Sequence, residues 1–245
     1  MALTGTDRGT GGNNTPSLTV TMSPNANYAN YSTAMLCISY DNAGAAGADP
    51  YVSIGDSLGN TWSVSATIVN NPVSTPNSGA VIRVFSCTMS STPLTTSTII
   101  TITFNTSVTA KAISLMELNG DPGFKSPVYG NIGQINFSGT NATRSVAGNT
   151  VGQLIIGVCG GKGHSTITGD SDISNGTWST QQTIGFGAGA AGQQITTQRK
   201  VQTTTGSTQT YNIGFSVSCV GSLIIFRVAG QSRLSQAYAD YIFLD

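Results

Sequence analysis

Between Thr98 and Phe104 the chain reads Thr-Ile-Ile-Thr-Ile-Thr-Phe, with Ile100, Ile102 and Phe104 alternating with threonines. A period of two is that of a strand with one face in a core. Residues 34–38, 112–118 and 223–228 are apolar in a more continuous way, which suits strands near the centre of a sandwich. Gly, Pro and Asn clusters at 41–50, 70–79, 119–131 and 185–192 break the pattern at spacings suited to short antiparallel strands. No stretch carries a convincing helical period. The pattern predicts an all-β protein.

The landmarks come twice in the same order. An apolar run at 34–38, the stretch Asp56-Ser-Leu-Gly-Asn-Thr-Trp62, and strands at 81–85, 98–104 and 112–118 make the first series. Residues 153–158, Asp172-Ile-Ser-Asn-Gly-Thr-Trp178, 194–198, 210–215 and 222–228 make the second. Corresponding landmarks lie about 110 to 118 residues apart, which argues for internal duplication. About seven strands per unit favour two tandem antiparallel β-sandwiches, either jelly-roll or immunoglobulin-like. The expected organisation is a flexible N-terminal arm over 1–16, a first sandwich over 17–122, a second over 123–233 and a C-terminal arm or strand over 234–245.

The repeated stretch poses the main chemical question, because it holds both tryptophans of the chain. Gly59 with Asn60, and Asn175 with Gly176, supply the positive φ of a tight turn, while Asp56 and Asp172 can accept from backbone amides two residues on. Trp62 and Trp178 would then start the next strand and cover the edge of a core. A calcium loop is the competing reading, but it needs six or more oxygens, and only the second copy has a nearby second carboxylate, Asp170. The repeated turn is therefore expected to be structural.

Charged residues are only 8% of the chain, and ten basic side chains balance ten acidic ones without a Lys/Arg cluster. Such a chain lacks the electrostatic footprint of a nucleic-acid or anionic-membrane binder. No stretch reaches 18 apolar residues and no secretory signal opens the sequence, so a cytoplasmic origin is expected. Cys37, Cys87, Cys159 and Cys219 sit singly in apolar surroundings and read as buried thiols. Neither a metal nor a cofactor is expected.

Candidate catalytic groups are weak. Gly160-Gly-Lys-Gly-His-Ser165 lacks the spacing of a phosphate loop and no helix follows it. His164, Ser165 and Asp170 fall in one loop without a nucleophile elbow. Glu117 is the single glutamate, so a two-carboxylate glycosidase would depend on turn aspartates. The chain is expected not to be an enzyme. A carbohydrate-binding alternative would stack sugars on Tyr28, Tyr31, Tyr51, Trp62 or Trp178, provided several rings lie exposed in one plane.

The last twelve residues carry Leu234, Tyr238, Tyr241, Ile242, Phe243 and Leu244 outside the repeat. They suit either a final strand on their own domain or an arm that docks on a neighbouring subunit, adding main-chain hydrogen bonds to an exposed sheet edge.

The order Leu36 strand, "DSLGNTW", "VIRVFSCTM", "TIITITF" and "TAKAISLMELNG" resembles a β-sandwich module common among structural proteins of tailed bacteriophages. The likeness covers about residues 17–120 well and about 131–230 in degraded form, where "VGSLIIFRVAG" replaces the "AKA" strand. It implies a virion protein, most simply a capsid decoration or cement protein that contacts the major capsid protein and sister copies. Trimers are the expectation from comparable proteins. A tail-fibre or surface adhesin with a carbohydrate-binding module is the alternative.

Overall fold

The computed structural model describes residues 3–41, 49–70, 79–89, 91–119, 128–147, 151–163, 165–187 and 192–229, with side chains left aside at 128–132 and 229. Among them there are fourteen strands and no helix. The first eight are β1 (Thr4–Asn13), β2 (Ser17–Met22), β3 (Thr33–Asp41), β4 (Tyr51–Asp56), β5 (Ser63–Asn70), β6 (Ala80–Thr88), β7 (Ile100–Val108) and β8 (Lys111–Asn119). They form a five-stranded sheet, β1-β8-β3-β6-β5, and a three-stranded sheet, β2-β7-β4. Interleaving early and late strands in this way is jelly-roll winding. The departure is β5, which joins β6 of the large sheet and leaves β4 at the edge of the small one.

The remaining strands are β9 (Val128–Ala147), β10 (Leu154–Lys162), β11 (Ile167–Thr168), β12 (Gln182–Phe186), β13 (Gln193–Val201) and β14 (Thr208–Ala229). Their order is β11-β14-β10-β13-β12, with β9 along β14. Both long strands have a break: Gly214 of β14 pairs with Asn141, and pairing resumes at Cys219 with Gly139. Beyond the break the first part of β14 packs over β10, where a Cβ on Gly157 would lie 2.4 Å from the Tyr211 ring. Each part of the long strands has a partner set matching two strands of the first half. The first part of β9 and the last part of β14 correspond to β1 and β8. The last part of β9 and the first part of β14 correspond to β2 and β7, with β11 in the place of β4.

Alternation decides which side chain enters which core. In β3, Ala34, Leu36, Ile38 and Tyr40 face the small sheet and meet Val20, Ile102 and Phe104. Met35 and Cys37 point the other way and meet Leu154, Ile156 and Val158 of β10 together with Ile82, Val84, Met116 and Phe226. A third core lies within the second unit, around Ile155, Trp178, Tyr211, Ile213 and Leu223. The molecule is thus four layers deep, and its two large sheets share a central, largely apolar layer.

The contacts across that layer are reciprocal. β8 meets β12 and β13 while its counterpart, the last part of β14, meets β5 and β6; β1 meets β12 while β9 meets β5; β3 meets β10 directly. This is the pattern of an isologous interface, made here within one chain. At its centre the backbones come close: a Cβ on Gly160 would lie 2.8 Å from Cβ of Ser39, a separation that only glycine permits. Polar links flank the apolar centre. Ser39 Oγ donates to Gln193 Oε1 (2.9 Å), Gln193 Nε2 to Asp41 Oδ1 (2.8 Å), and Arg199 to Asp7 Oδ1 (2.5 Å).

Two expectations change. Residues 4–13, read from sequence as part of a flexible arm, form β1 and pair with β8 from Thr4↔Asn119 to Asn13↔Lys111. The choice between jelly-roll and immunoglobulin-like order falls to the jelly roll. The C-terminal segment 234–245 lies outside the described residues.

Candidate functional site

The repeated turns occupy matching positions, one between β4 and β5 and the other between β11 and β12. In the first, Asp56 Oδ1 accepts from the backbone N–H of Leu58 (2.9 Å) and Asn60 (3.2 Å), and the Asp56 carbonyl accepts from Gly59 N–H at 3.1 Å. Gly59 has φ +75, the conformation the sequence anticipated there. Asp56 Oδ2 accepts from the indole Nε1 of Trp62 at 2.8 Å, a bond that fixes the ring against the first core. Every donor to this carboxylate comes from its own turn.

In the second, Asp172 Oδ1 accepts from Ser174 N–H (2.9 Å), and Asn175 and Gly176 have φ +59 and +117. Asp172 does not reach Trp178. That ring is buried against Tyr211 (centroids 4.8 Å apart), with the Lys200 ammonium 4.8 Å above it, and its Nε1 has no hydrogen-bond partner. Asp170, 7% exposed, does the organising instead. It accepts from Asp172 N–H (2.8 Å), Asn212 N–H (2.7 Å) and Asn212 Nδ2 (3.2 Å).

The carboxylates of the second turn are engaged within the chain. Asp170 is occupied by three donors, and the Lys200 ammonium stands 3.8 Å from Asp172 Oδ2, where it repels a cation. No group of three or more His, Cys, Asp or Glu side chains comes together among the described residues. An open depression of about 480 Å³ beside Asp170 is walled by Asn141, Thr143 and Asn212, and holds no pair of free carboxylates.

Among the described residues the other candidate groups have partners within the fold. Ser165 N–H donates to Gln194 Oε1 (3.1 Å), Asp170 faces Asn212, and His164 lies outside the described residues. Glu117 is fully buried, accepting from Arg8 Nε (2.7 Å) and from Ala29 N–H (2.7 Å), so it ties β1 and the loop before β3 to β8. All four cysteines are buried free thiols, and burial pushes Cys87 and Cys219 up to about 12. Lys111, fully buried, donates to the carbonyls of Thr15 (2.9 Å) and Val108 (2.6 Å); burial lowers its pKa to about 8, against the pull of Asp41.

Nor do the aromatic rings make a platform. Tyr28 and Trp178 are buried, the Tyr51 face is covered by Arg83 at 4.1 Å, and Tyr31 alone stands well out, at 57% exposure.

The near-neutral surface of small polar side chains that the composition implies is gathered into two outer rows, while one seam has no signal in the sequence. The small sheet of the first unit turns Thr19, Thr21, Ser53, Thr101 and Thr103 outward, and that of the second turns out Asn141, Thr143, Ser145, Thr210 and Asn212. Both rows are uncharged. Between β4 and β5 the first core is only partly covered: Tyr51, Ile54 and Trp62 are half-buried and Val64 is 47% exposed. In the second unit Trp178 is buried, while between β11 and β12 there is an open depression of about 570 Å³ lined by Ile167, Thr183, Ile184 and Gln194. The alternation of "TVT" and "TIT" carried the signal for the hydroxyl rows, whereas the seam follows from β5 changing sheets, which alternation does not encode. Compared with known proteins, the chain matches no protein family, no curated protein and no solved structure.

Proposed function

We propose that this chain is a structural virion protein without catalytic activity, a capsid decoration or cement protein whose two halves arose by duplication. What supports the reading best is the distribution of polarity. Charged groups such as Arg8, Glu117, Arg83, Asp49, Asp7 and Arg199 pair with one another within and between the layers. The outer rows of the two small sheets hold hydroxyl and amide groups. Back-to-back packing places those rows on opposite sides of the molecule, so one chain offers two similar, neutral faces. Such faces form many modest hydrogen bonds with little dependence on salt, and repetition over a lattice converts them into avidity. The partners in this reading are the major capsid protein and sister copies, three around a local three-fold axis, and the location is the virion.

The test is co-sedimentation. Purified protein is added to expanded capsids that lack it, and bound copies per particle are counted with and without residues 234–245. Saturation at a fixed multiple of the lattice sites is the expected outcome. Absence of binding at micromolar concentration overturns the reading, and a glycan array then tests the adhesin alternative.

A further inference from the structure

One corner of the sandwich is built twice with different side chains. It lies between β4 and β5 in the first unit and between β11 and β12 in the second. Backbone contacts align the two copies: Asn105 N–H donates to the Pro50 carbonyl at 2.8 Å, and Ser216 N–H to that of Thr166 at 3.0 Å. Tyr51 pairs with Phe104 as Ile167 pairs with Phe215, and Arg83 stands opposite Thr67 as Thr196 stands opposite Thr183. Asp49, Tyr51 and Arg83 therefore correspond to Ser165, Ile167 and Thr196.

The first copy spans its corner with charges and rings. Arg83 Nη2 donates to Asp49 Oδ2 (2.5 Å), the guanidinium lies 4.1 Å from the centre of the Tyr51 ring, and Tyr40 donates its hydroxyl to Asp49 Oδ1 (2.6 Å). The second copy replaces these side chains with a serine, an isoleucine and a threonine, and Gly161 takes the register position of Tyr40. It is there that the depression of about 570 Å³ opens. Small-ligand sites run from about 300 to 1,000 Å³.

The walls of the depression are chemically uniform. Thr166, Thr183 and Ser216 supply hydroxyls, Gln194 a carboxamide, and Ile167 and Val217 aliphatic surface, with no charged side chain among the described lining residues. Gln194 is 1% exposed and its Oε1 accepts from Ser165 N–H (3.1 Å), so the amide is fixed before any ligand arrives. Ser216 Oγ accepts from Thr166 N–H (3.0 Å) and keeps its own proton to donate. Thr183 Oγ1 donates to Thr196 Oγ1 (2.6 Å) and keeps lone pairs to accept. Hydroxyls and carboxamides give and take hydrogen bonds as sugar hydroxyls do, and aliphatic groups suit the C–H face of a sugar ring. An ionised ligand would lose water here without meeting a counter-charge.

We infer that the depression between β11 and β12 is a binding site for a neutral saccharide, held through hydrogen bonds by Thr183, Gln194 and Ser216. Recognition of this kind needs no aromatic platform. Duplication supplied two copies of the corner, of which the first is braced by an ion pair and the second is open to a ligand. The inference goes beyond the cement reading and requires neither a capsid nor a sister copy.

The full chain is applied to an array of neutral oligosaccharides of hexoses and N-acetylhexosamines, beside sialylated and sulfated counterparts, and the best neutral ligand is titrated by calorimetry. Binding to at least one neutral glycan is expected. Ser216→Trp sets a ring into the depression from an exposed position and should weaken that binding about tenfold or more. Thr166→Trp, at a second exposed wall position, should do the same if Ser216→Trp fails to fold. Thr19→Trp, exposed on the outer row of the first unit, should leave it unchanged. A chain that binds no neutral glycan at millimolar concentration, that binds only the acidic ones, or whose binding is indifferent to the wall substitutions overturns the inference. Capsid binding without saccharide binding removes this inference and leaves the cement reading; saccharide binding without capsid binding does the reverse.

Discussion

The two aspartate turns share a sequence pattern and differ in what it accomplishes. In the first unit one carboxylate both closes the turn and anchors the indole N–H of a half-exposed tryptophan. In the second the work is divided: Asp172 closes the turn, Asp170 binds β14 through Asn212, and the tryptophan is a core residue whose N–H is unpartnered. Trp62 is held in place by a hydrogen bond and Trp178 by packing. The comparison teaches that a repeated motif fixes one left-handed residue, Gly59 or Asn175, whereas the next position (Asn60 without a positive φ, Gly176 at φ +117) and the burial of the aromatic differ between the copies.

The largest contrast should come from the tryptophans themselves. Trp178→Ala removes a buried ring and should cost about 3–5 kcal/mol in urea unfolding, against about half that for Trp62→Ala. Equal losses would mean that the two rings are packed alike. The carboxylates rank next. Asp170→Asn puts a donor group where three donors converge and should cost about 2–3 kcal/mol, while Asp56→Asn, in an exposed turn, should cost about 1 kcal/mol. An Asp56→Asn loss as large as that of Asp170→Asn would break the ranking.

The smallest effect separates two buried lysines. Lys111 bonds to two carbonyl oxygens, and burial brings its pKa from 10.5 to about 8 against the pull of Asp41. Lys200, lowered by the same cause, has Asp172 and the Trp178 ring beside it. A lowered lysine means that the unfolded chain holds more protons between the two values, so this group's contribution to stability should rise as pH climbs from about 8 towards 10.5. In thermal unfolding across that window the rise is set against a fall from the four buried thiols, whose pKa burial raises, and it is read by comparing variants. Most of it should vanish in Lys111→Met and persist in Lys200→Met.

Much of the fold was legible because β alternation writes one face of a strand at a time. Ile100, Ile102 and Phe104 announced β7 and its buried face. The run Ala34–Ile38 announced a central strand, and its lack of alternation has a concrete cause in the two cores that β3 separates. What the sequence hid was long-range. Thr4–Asn13 is glycine-rich and polar, and it is a strand because β8 supplies its backbone partners and because Arg8 and Asp7 meet Glu117 and Arg199. No local pattern encodes a partner more than a hundred residues away. The turns were readable as turns from their Gly/Asn pairs, but the contrast between Trp62 and Trp178 was not, since the two stretches read alike and only the neighbouring strands differ.

The pairing of Thr4 with Asn119 also sets a timetable for synthesis. A ribosome adding about 5–20 residues per second needs roughly 6 to 23 seconds between making the two ends of that pair. Through this interval β1 has no ladder to join. When β8 arrives and the first unit closes, Met35, Cys37, Ile82 and Val84 still face water until β10 and β14 are made. The nascent chain therefore carries an apolar sheet face midway through its own translation, a natural point for chaperone capture or for mispairing with a neighbouring polysome's product.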